Sequence, residues 1–587
     1  MIPRDPAVPF VLLDDMRRTG ARPARLYVDP VEIVAAATQA EVAPALARLR
    51  AAGARGLHAA GYLTFEAGAA TAGSRGAAPP AAPGPLLWFG LFDACTEVPA
   101  DEVPALLPDP AGAWAGAPRP LIGFADYARQ VAAAKALIAA GDIYQANFTF
   151  PCTVPVAGGR LALYARLRAA AAAPWGALVV TGTHWLMSFS PELFFTVAGG
   201  TVTARPMKGT LARDGDPATL AADPKQRAEN LMIVDLLRND LTRIARPGSV
   251  RVPALFTVET YPTVHQMTST VTAALAADCD AVDVLATAFP CGSVTGAPKL
   301  RAMEVIGDLE STPRGPYTGS IGHLAPDGSA AFNVAIRTLV LDRDDPVAQL
   351  GLGSGIVADS VIGDEWRECL AKGAFVTSAM PIIDLIETMR FDALEGLIDL
   401  DRHIERMGAS AQQLGFVFNR HEVRNELQAA TFKLRKDSRV RLMVAQSGAI
   451  AIETSRLPTP AAEPVDVTLA PLPVAADDFR LRHKTSDRAF LRESTRGGFE
   501  TVFLDPDGFV TEGSFTNVFV ARDDGLITPP LARGLMAGVL RRRLIEEGKA
   551  REGDVVSADL AEGFYIGNSL RGLIRARLVA APVAAGL

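Results

Sequence analysis

The run Val376-Thr377-Ser378-Ala379-Met380-Pro381 constrains this chain more than any other, because it ends a helical pattern against a proline that cannot continue it. The apolar pattern then restarts at 382–389 and opens a new series of strands and helices. With 587 residues and roughly 100–200 residues per domain, more than one folding unit is expected, and the boundary near 379 gives domains over 1–379 and 380–587. In the first, short apolar runs alternate with an Ala-rich helical pattern, and a Pro/Gly-rich stretch around 73–86 reads as an exposed loop. A helix passes through Lys135 and ends at Gly141, strands follow at 177–181 and 193–197, and a helical run covers 226–237. The fold class expected is α/β (α+β).

An apolar share of 49% with 21% charged residues suits a compact chain with large cores. A net charge of −7, without blocks of like charge, gives no general attraction to nucleic acid or anionic lipid. No stretch reaches the ~18 uninterrupted apolar residues that span a bilayer, and the start has no signal-type apolar core. A cytoplasmic protein with small-molecule partners, and neither nucleic-acid nor membrane partners, is expected. Cys95, Cys152, Cys279, Cys291 and Cys369 are too scattered for a disulfide framework or a zinc site.

The chain has nine Lys against 49 Arg, so Lys208 in the Gly-flanked run Pro206-Met207-Lys208-Gly209-Thr210 stands out. Upstream, Ser190-Pro191-Glu192 supplies a carboxyl of the kind that protonates a leaving group. Further runs join them: Glu229-Asn230 through Asp240, the Gly-rich 289–299, Ile336-Arg337-Thr338, and Gly353-Ser354-Gly355-Ile356 leading to Glu365, Glu368 and Lys372. Carboxylates from separate helices, cations and Gly turns suit a Mg²⁺-bound anionic small molecule, with Arg337 and Lys372 on its carboxylates.

In this order, and with Gly141-Asp142-Ile143-Tyr144-Gln145 and Arg314-Gly315-Pro316-Tyr317-Thr318-Gly319, these runs resemble the chorismate-utilising enzymes over most of the first domain. The resemblance implies a large two-sheet α/β sandwich wrapped by helices. It places Mg²⁺ between the substrate ring carboxylate and Glu229 and Glu368, with Glu365 close by. Anthranilate-forming relatives read Pro-Ile-Ala-Gly-Thr where this chain has Lys208, which favours the 4-amino product. Lys208 would add to ring C2 as the C4 hydroxyl leaves, protonated by Glu192, and ammonia would then attack C4 and expel Lys208. Isochorismate-forming relatives carry a Lys base where this chain has Gln145. Gly209, Thr210, His265, Tyr317, Arg337, Gly353 and Lys372 match pocket-lining positions. None of the five Cys lies in a Gly-x-Cys-x-Gly turn, so a separate glutamine amidotransferase subunit is expected to bring ammonia to chorismate.

The second domain carries Asp401-Arg402-His403-Ile404-Glu405-Arg406, Arg482-His483-Lys484-Thr485, Thr511-Glu512-Gly513-Ser514, Gly538-Val539 and Asn568-Ser569-Leu570-Arg571-Gly572. An imine-forming Lys, a Glu for a pyridinium nitrogen, and an Arg with backbone amides for a phosphate are what pyridoxal 5'-phosphate requires. These runs resemble the fold-type IV (class IV) pyridoxal-phosphate enzymes, and 568–572 points to their lyase branch. By that resemblance Lys484 carries the cofactor, Glu512 pairs with its ring nitrogen, Arg406 with the Gly538 and Val539 amides holds its phosphate, and Asn568, Ser569 and Arg571 meet substrate. Branched-chain relatives follow that Gly with Ile-Thr; Val539-Leu540 lacks the hydroxyl. A homodimer through this domain is expected.

The two resemblances imply consecutive steps: chorismate to 4-amino-4-deoxychorismate, then 4-aminobenzoate with release of pyruvate. The rivals are an anthranilate-type synthase fused to a branched-chain or D-amino-acid transaminase, disfavoured by Lys208 and 568–572, and a half retained as a scaffold. Intact Lys208, Glu192, Lys484 and Glu512 speak against the scaffold.

Overall fold

The structure, a computed structural model, describes residues 1–72, 84–260, 264–523 and 525–580. Most of the Pro/Gly-rich stretch at 73–86, expected to be a loop, lies outside the described residues. The chain separates into two compact units: Met1–Pro108, Ala117–Val154 and Tyr164–Ala379 form one, and Asp109–Gly116, Pro155–Leu163 and Met380–Leu587 form the other.

In the first unit, continuous apolar runs become strands buried along nearly their whole length, as in Phe10–Asp14, Trp175–Val180 and His184–Ser190. These pair antiparallel, Val179 opposite Leu186 and Met187 opposite Leu339, within a sheet that runs from Gly296–Ala297 through Gln145–Ala157 and Val347–Ile356 to Thr96–Val98. The second sheet runs from Met207–Ala212 through Val264–Ala274, Thr201–Arg205 and Leu193–Ala198 to Glu32–Ala36. The helix Pro224–Thr242 is longer than the 226–237 pattern. The Asp223 carboxylate caps it by accepting the Lys225 and Gln226 amides at 2.8 and 3.1 Å, and Pro224 opens its first turn. Its Ile233, Val234, Leu237 and Leu241 enter the core with Phe195, Val271 and Phe332. Among the described residues no helix is long and apolar enough to cross a membrane.

In the second unit, Leu385–Asp392, Ser438–Val444 and Ile450–Arg456 form a small antiparallel sheet under the helices Leu400–Leu414 and Arg420–Thr431. A larger sheet orders Val510–Gly513, Glu500–Leu504, Val465–Pro471, Gly572–Leu578, Phe564–Asn568 and Asn517–Arg522, and a Glu512–Asn517 pairing closes these strands into a ring. Val465, Val467, Val502, Val510, Val518 and Ile566 fill its core. The two stretches from before residue 379 add Trp114 and Ala157 to the core under the small sheet.

Candidate active sites

Lys208 lies on Met207–Ala212, where the pairing with Val264–Ala274 shifts register between Met207 and Thr210. The irregularity falls at Lys208-Gly209; Gly209 has φ 91°, which L side chains disfavour. Two amides pin the backbone there: Asn230 Nδ2 donates to the Lys208 carbonyl at 3.4 Å and Gln266 Nε2 to that of Gly209 at 2.8 Å. Asn230 is fully buried and accepts the Ser269 hydroxyl at 2.6 Å.

A Cβ added at Gly355 would stand 3.2 Å from Lys208 Nζ and 2.9 Å from Gln145 Nε2, so these two groups meet over Gly355. Among the described residues both amide atoms of Gln145 are buried without a partner, as is Glu192 Oε1. Burial pushes the Glu192 carboxyl up to about 7 against the Ser293 hydroxyl and the Lys208 charge. Burial, then the Lys372 charge, pulls the Lys208 amine below its ordinary value, while Glu229, Glu192 and Glu368 oppose this. An amine whose proton affinity is lowered and a carboxyl whose proton affinity is raised thus act on one another, the pair that nucleophilic displacement of a hydroxyl needs.

Arg337 sits in the left-handed region at φ 51°. Burial lowers the proton affinity of its guanidinium, and among the described residues no acceptor faces it. Lys372 Nζ donates to the Gly353 carbonyl at 2.9 Å, and a side chain at 353 would collide with Phe148 O. Tyr317 is buried, its ring against Gly351. His265 differs from expectation: Nδ1 pairs with the Thr260 hydroxyl at 2.9 Å and Nε2 with the Arg213 carbonyl at 3.1 Å, so both ring nitrogens are already engaged. The side chain of Thr210 lies outside the described residues.

Among the described residues no group of three or more His, Cys, Asp or Glu is gathered tightly enough to hold a metal. Glu368 pairs with Lys372 at 2.7 Å, and Glu365 accepts the Ser360 hydroxyl at 2.7 Å. Glu229 is half-buried; burial raises its proton affinity, and Asp359 and Glu365 add like charge. A dication relieves that repulsion. Mg²⁺ commonly takes one or two protein carboxylates and completes its shell with water and ligand oxygens, so the donors fit it without a preformed triad.

In the second unit, burial pulls the Lys484 amine down to about 8 against the Glu387 carboxylate. Burial also pushes Glu512 up to about 7; its Oε2 accepts the Met536 amide at 2.9 Å and, among the described residues, its buried Oε1 has no partner. Arg406 grips Glu387 with two hydrogen bonds of 2.8 and 2.6 Å and donates to the Ala537 carbonyl at 3.0 Å, beside Gly538-Val539. The Gly538 amide is engaged with the Met536 carbonyl at 2.8 Å, which leaves the first-turn amides of the helix Val539–Glu546, not Gly538 itself, open for a phosphate. An amine of lowered pKa, an orphaned buried carboxylate oxygen and an Arg beside a helix N-terminus fit pyridoxal phosphate.

Asn568 is less free than expected: it donates to the Phe515 carbonyl at 3.1 Å and accepts the Leu570 and Arg571 amides. Arg571 lies over Phe499, its guanidinium carbon 5.6 Å from the ring centre. Ser569 sits between them in that turn. The sequence did not assign roles to Asn230, Gln266, Gly355 or Glu387, nor to Glu500, which accepts Ser514 Oγ at 2.6 Å and Thr516 Oγ1 at 2.9 Å and so fixes the turn after Glu512. An acid inside an apolar strand run was the signal available for Glu387.

Comparison with known proteins agrees with this division. Residues 384–579 match the profile of amino-transferase class IV. Aminodeoxychorismate synthase component 1 of Klebsiella aerogenes is 43% identical over 254 residues, 42% of this chain and 56% of that protein. Anthranilate synthase component 1 of Streptomyces coelicolor is 41% identical over 264 residues, 44% of this chain and 51% of that one. The chain thus spans about half the length of these curated relatives. The crystal structure of anthranilate synthase component I from Streptococcus pneumoniae, 26% identical, aligns with a TM-score of 0.54 over 62% of this chain and 93% of its own. Residues 9–378, well over half of the chain, match the profile of the chorismate binding enzymes, and the chain belongs to that family.

Proposed function

We propose that the chain makes 4-aminobenzoate from chorismate in two steps, amination in the first unit and release of pyruvate in the second. The observation that carries this reading is the Lys208 amine that meets the Gln145 amide over Gly355, within the field of the buried Glu192 carboxyl. Relatives named for two different products match this chain almost equally well, so overall identity does not choose between them. Lys208 does, because a nucleophile there can take up position on the ring before ammonia arrives.

In the first unit, Lys208 Nζ adds to ring C2 as the C4–O bond breaks, and Glu192 gives its proton to the departing hydroxyl, which leaves as water. Ammonia then bonds to C4, the Lys208–C2 bond breaks and the free amine returns. Arg337, which lacks an acceptor, and Lys372 bind substrate carboxylates. Glu229 and Glu368, with Glu365, would hold Mg²⁺, whose charge balances the ring carboxylate. A separate glutamine amidotransferase supplies the ammonia.

In the second unit, pyridoxal phosphate would supply an electron sink for the carbon that bears the new amine. Glu512, through its buried Oε1, would hold the ring nitrogen and keep it protonated. Arg406, fixed by Glu387, and the amides from Val539 onward bind the phosphate. Lys484 Nζ takes the C4 proton as the C3–O bond breaks and returns it to the departing enolpyruvate, which becomes pyruvate, and the ring becomes aromatic.

The test is product analysis of the pure chain with chorismate, Mg²⁺, pyridoxal phosphate and a high concentration of ammonium near neutral pH. 4-Aminobenzoate with an equal amount of pyruvate is expected. Anthranilate would overturn the Lys208 assignment, and 4-amino-4-deoxychorismate that accumulates unconverted would overturn the second site.

The pH dependence has a definite sign. Glu192 acts only while protonated, so synthase activity should fall as pH rises through about 7, and the opposite limb should track deprotonation of Lys208. Glu192→Gln should remove the alkaline limb and lower kcat by about 10²–10⁴-fold. An unchanged alkaline limb in that variant would assign the acid to another group.

A further inference from the structure

One guanidinium in the second unit has no role so far. Arg488 lies just ahead of the short helix Ala489–Glu493, four residues after Lys484. The segment that carries both is pinned to Leu385–Asp392 and its approach: the Ile386 amide donates to the Lys484 carbonyl at 2.8 Å, the Ser486 amide to that of Asp384 at 2.8 Å, and Leu385 bridges Thr485. Arg488 is therefore held in place beside Lys484. Its neighbour Asp487 faces Arg480 at 3.5 Å, and Arg480 itself clasps Asp478 at 2.7 Å. Among the described residues Arg488 forms no ion pair, and its guanidinium donates a single hydrogen bond, to the Arg480 carbonyl at 3.3 Å.

A guanidinium has five N–H donors, and one that is desolvated with most of them unused is an anion site waiting for its anion. The charges around Arg488 are Glu512 and Arg406. Those around Lys484 are Glu387, Arg406, Arg488 and Arg441, and those around Glu512 are Arg488, Glu500 and Arg406. Arg488 thus acts on both Lys484 and Glu512. Arg406 is already committed to Glu387, Glu500 to the turn after Glu512.

A pyridoxal phosphate ring has four polar handles. Lys484 takes the formyl carbon, Glu512 faces the ring nitrogen, and Arg406 with the first-turn amides takes the phosphate arm. The fourth is the phenolic oxygen, on the ring edge that runs from the formyl carbon toward the nitrogen away from the phosphate. That edge lies between the groups held by Lys484 and Glu512, the two that Arg488 influences.

We propose that Arg488 binds the phenolic oxygen of the cofactor, holding it as the phenolate and setting the proton affinity of the nitrogen that Lys484 contributes. The assignment rests on the reading that this unit takes pyridoxal phosphate. A nearby fixed positive charge disfavours a protonated nitrogen, so removing it raises the pH at which that nitrogen loses its proton.

The experiment uses the full chain loaded with pyridoxal phosphate, as wild type, Arg488→Gln and Arg488→Lys, with the visible cofactor absorbance titrated against pH. Arg488→Gln should raise the midpoint by about one unit, a tenfold gain in proton affinity, and Arg488→Lys should stay near wild type. A second measurement needs no variant: a cofactor analogue without the phenolic oxygen should bind the wild type on the order of tenfold or more weakly than pyridoxal phosphate itself. In Arg488→Gln that discrimination should shrink, and in Arg488→Lys, which keeps the charge, it should stay near wild type. A wild type that binds both cofactors equally, or an Arg488→Gln midpoint that does not move while the KM for 4-amino-4-deoxychorismate rises, would overturn the proposal and make Arg488 a reader of substrate carboxylate. A wild type that takes up no cofactor at all would instead overturn the reading of the unit.

Discussion

Lys208→Ala is expected to lower formation of 4-amino-4-deoxychorismate from chorismate and ammonia by on the order of 10³-fold or more, while conversion of supplied 4-amino-4-deoxychorismate to 4-aminobenzoate stays at the wild-type rate. Lys484→Ala should do the reverse. The size of the first effect follows from what the residue contributes. Burial and the Lys372 charge lower the proton affinity of the Lys208 amine, which meets the Gln145 amide over Gly355. The adjacent Gln145 amide cannot substitute, because it has no basic nitrogen. The separation of the two effects follows from the fold, because Lys208 and Lys484 belong to different compact units and each has its own charged surroundings. Each step is assayed separately, the first by ammonia-dependent consumption of chorismate and the second by release of pyruvate. A folded variant in which either substitution removes both activities would show that the two chemistries share a site.

Much of each site was legible because its chemistry depends on residue type at short range. Lys208 in a Gly-flanked run, Glu192 after Ser190-Pro191, Lys484, Glu512 and Arg406 could all be picked out along the chain, and the structure places acidic and basic partners around them. What could not be read depends on neighbours that only folding supplies. His265 looks as available in sequence as any pocket histidine, yet Thr260 and Arg213 engage its nitrogens once two strands pair. The Gly538 amide looks like a phosphate donor until the turn at Met536 claims it. Arg488 resembles one of 49 arginines until it is seen to lack the carboxylate beside it. The metal carboxylates illustrate the opposite case: all three acids lie on helices, but among the described residues they are not gathered tightly enough to hold a metal.

The same distinction bears on the expected boundary near 379 and on the composition of the second unit, which takes in Asp109–Gly116 and Pro155–Leu163. A proline that stops a helix is a local event, whereas the packing of Trp114 depends on residues three hundred positions away. Trp114→Ala should therefore damage the second unit, although the residue lies in the part of the sequence that matches the chorismate binding enzymes. The indole is 1% exposed, its Nε1 donates to the Leu414 carbonyl at 2.8 Å, and its ring lies 6.0 and 5.9 Å from those of Phe416 and Phe479. Truncation removes a large apolar body, leaves a cavity and strands a buried carbonyl at the end of the helix Leu400–Leu414. A loss of about 3–5 kcal/mol is expected, enough to consume much of the stability of an ordinary domain. Phe479 opens the short helix that leads into His483-Lys484, so the damage should reach the cofactor site as well. Denaturant titration followed by the visible absorbance of bound cofactor should show the midpoint falling sharply in Trp114→Ala and much less in Trp114→Phe, which keeps most of the ring. Residues 380–587 expressed alone lack Trp114 and Ala157, and should be destabilised at least as much. A fragment as stable as the whole chain would show that this core closes without the indole.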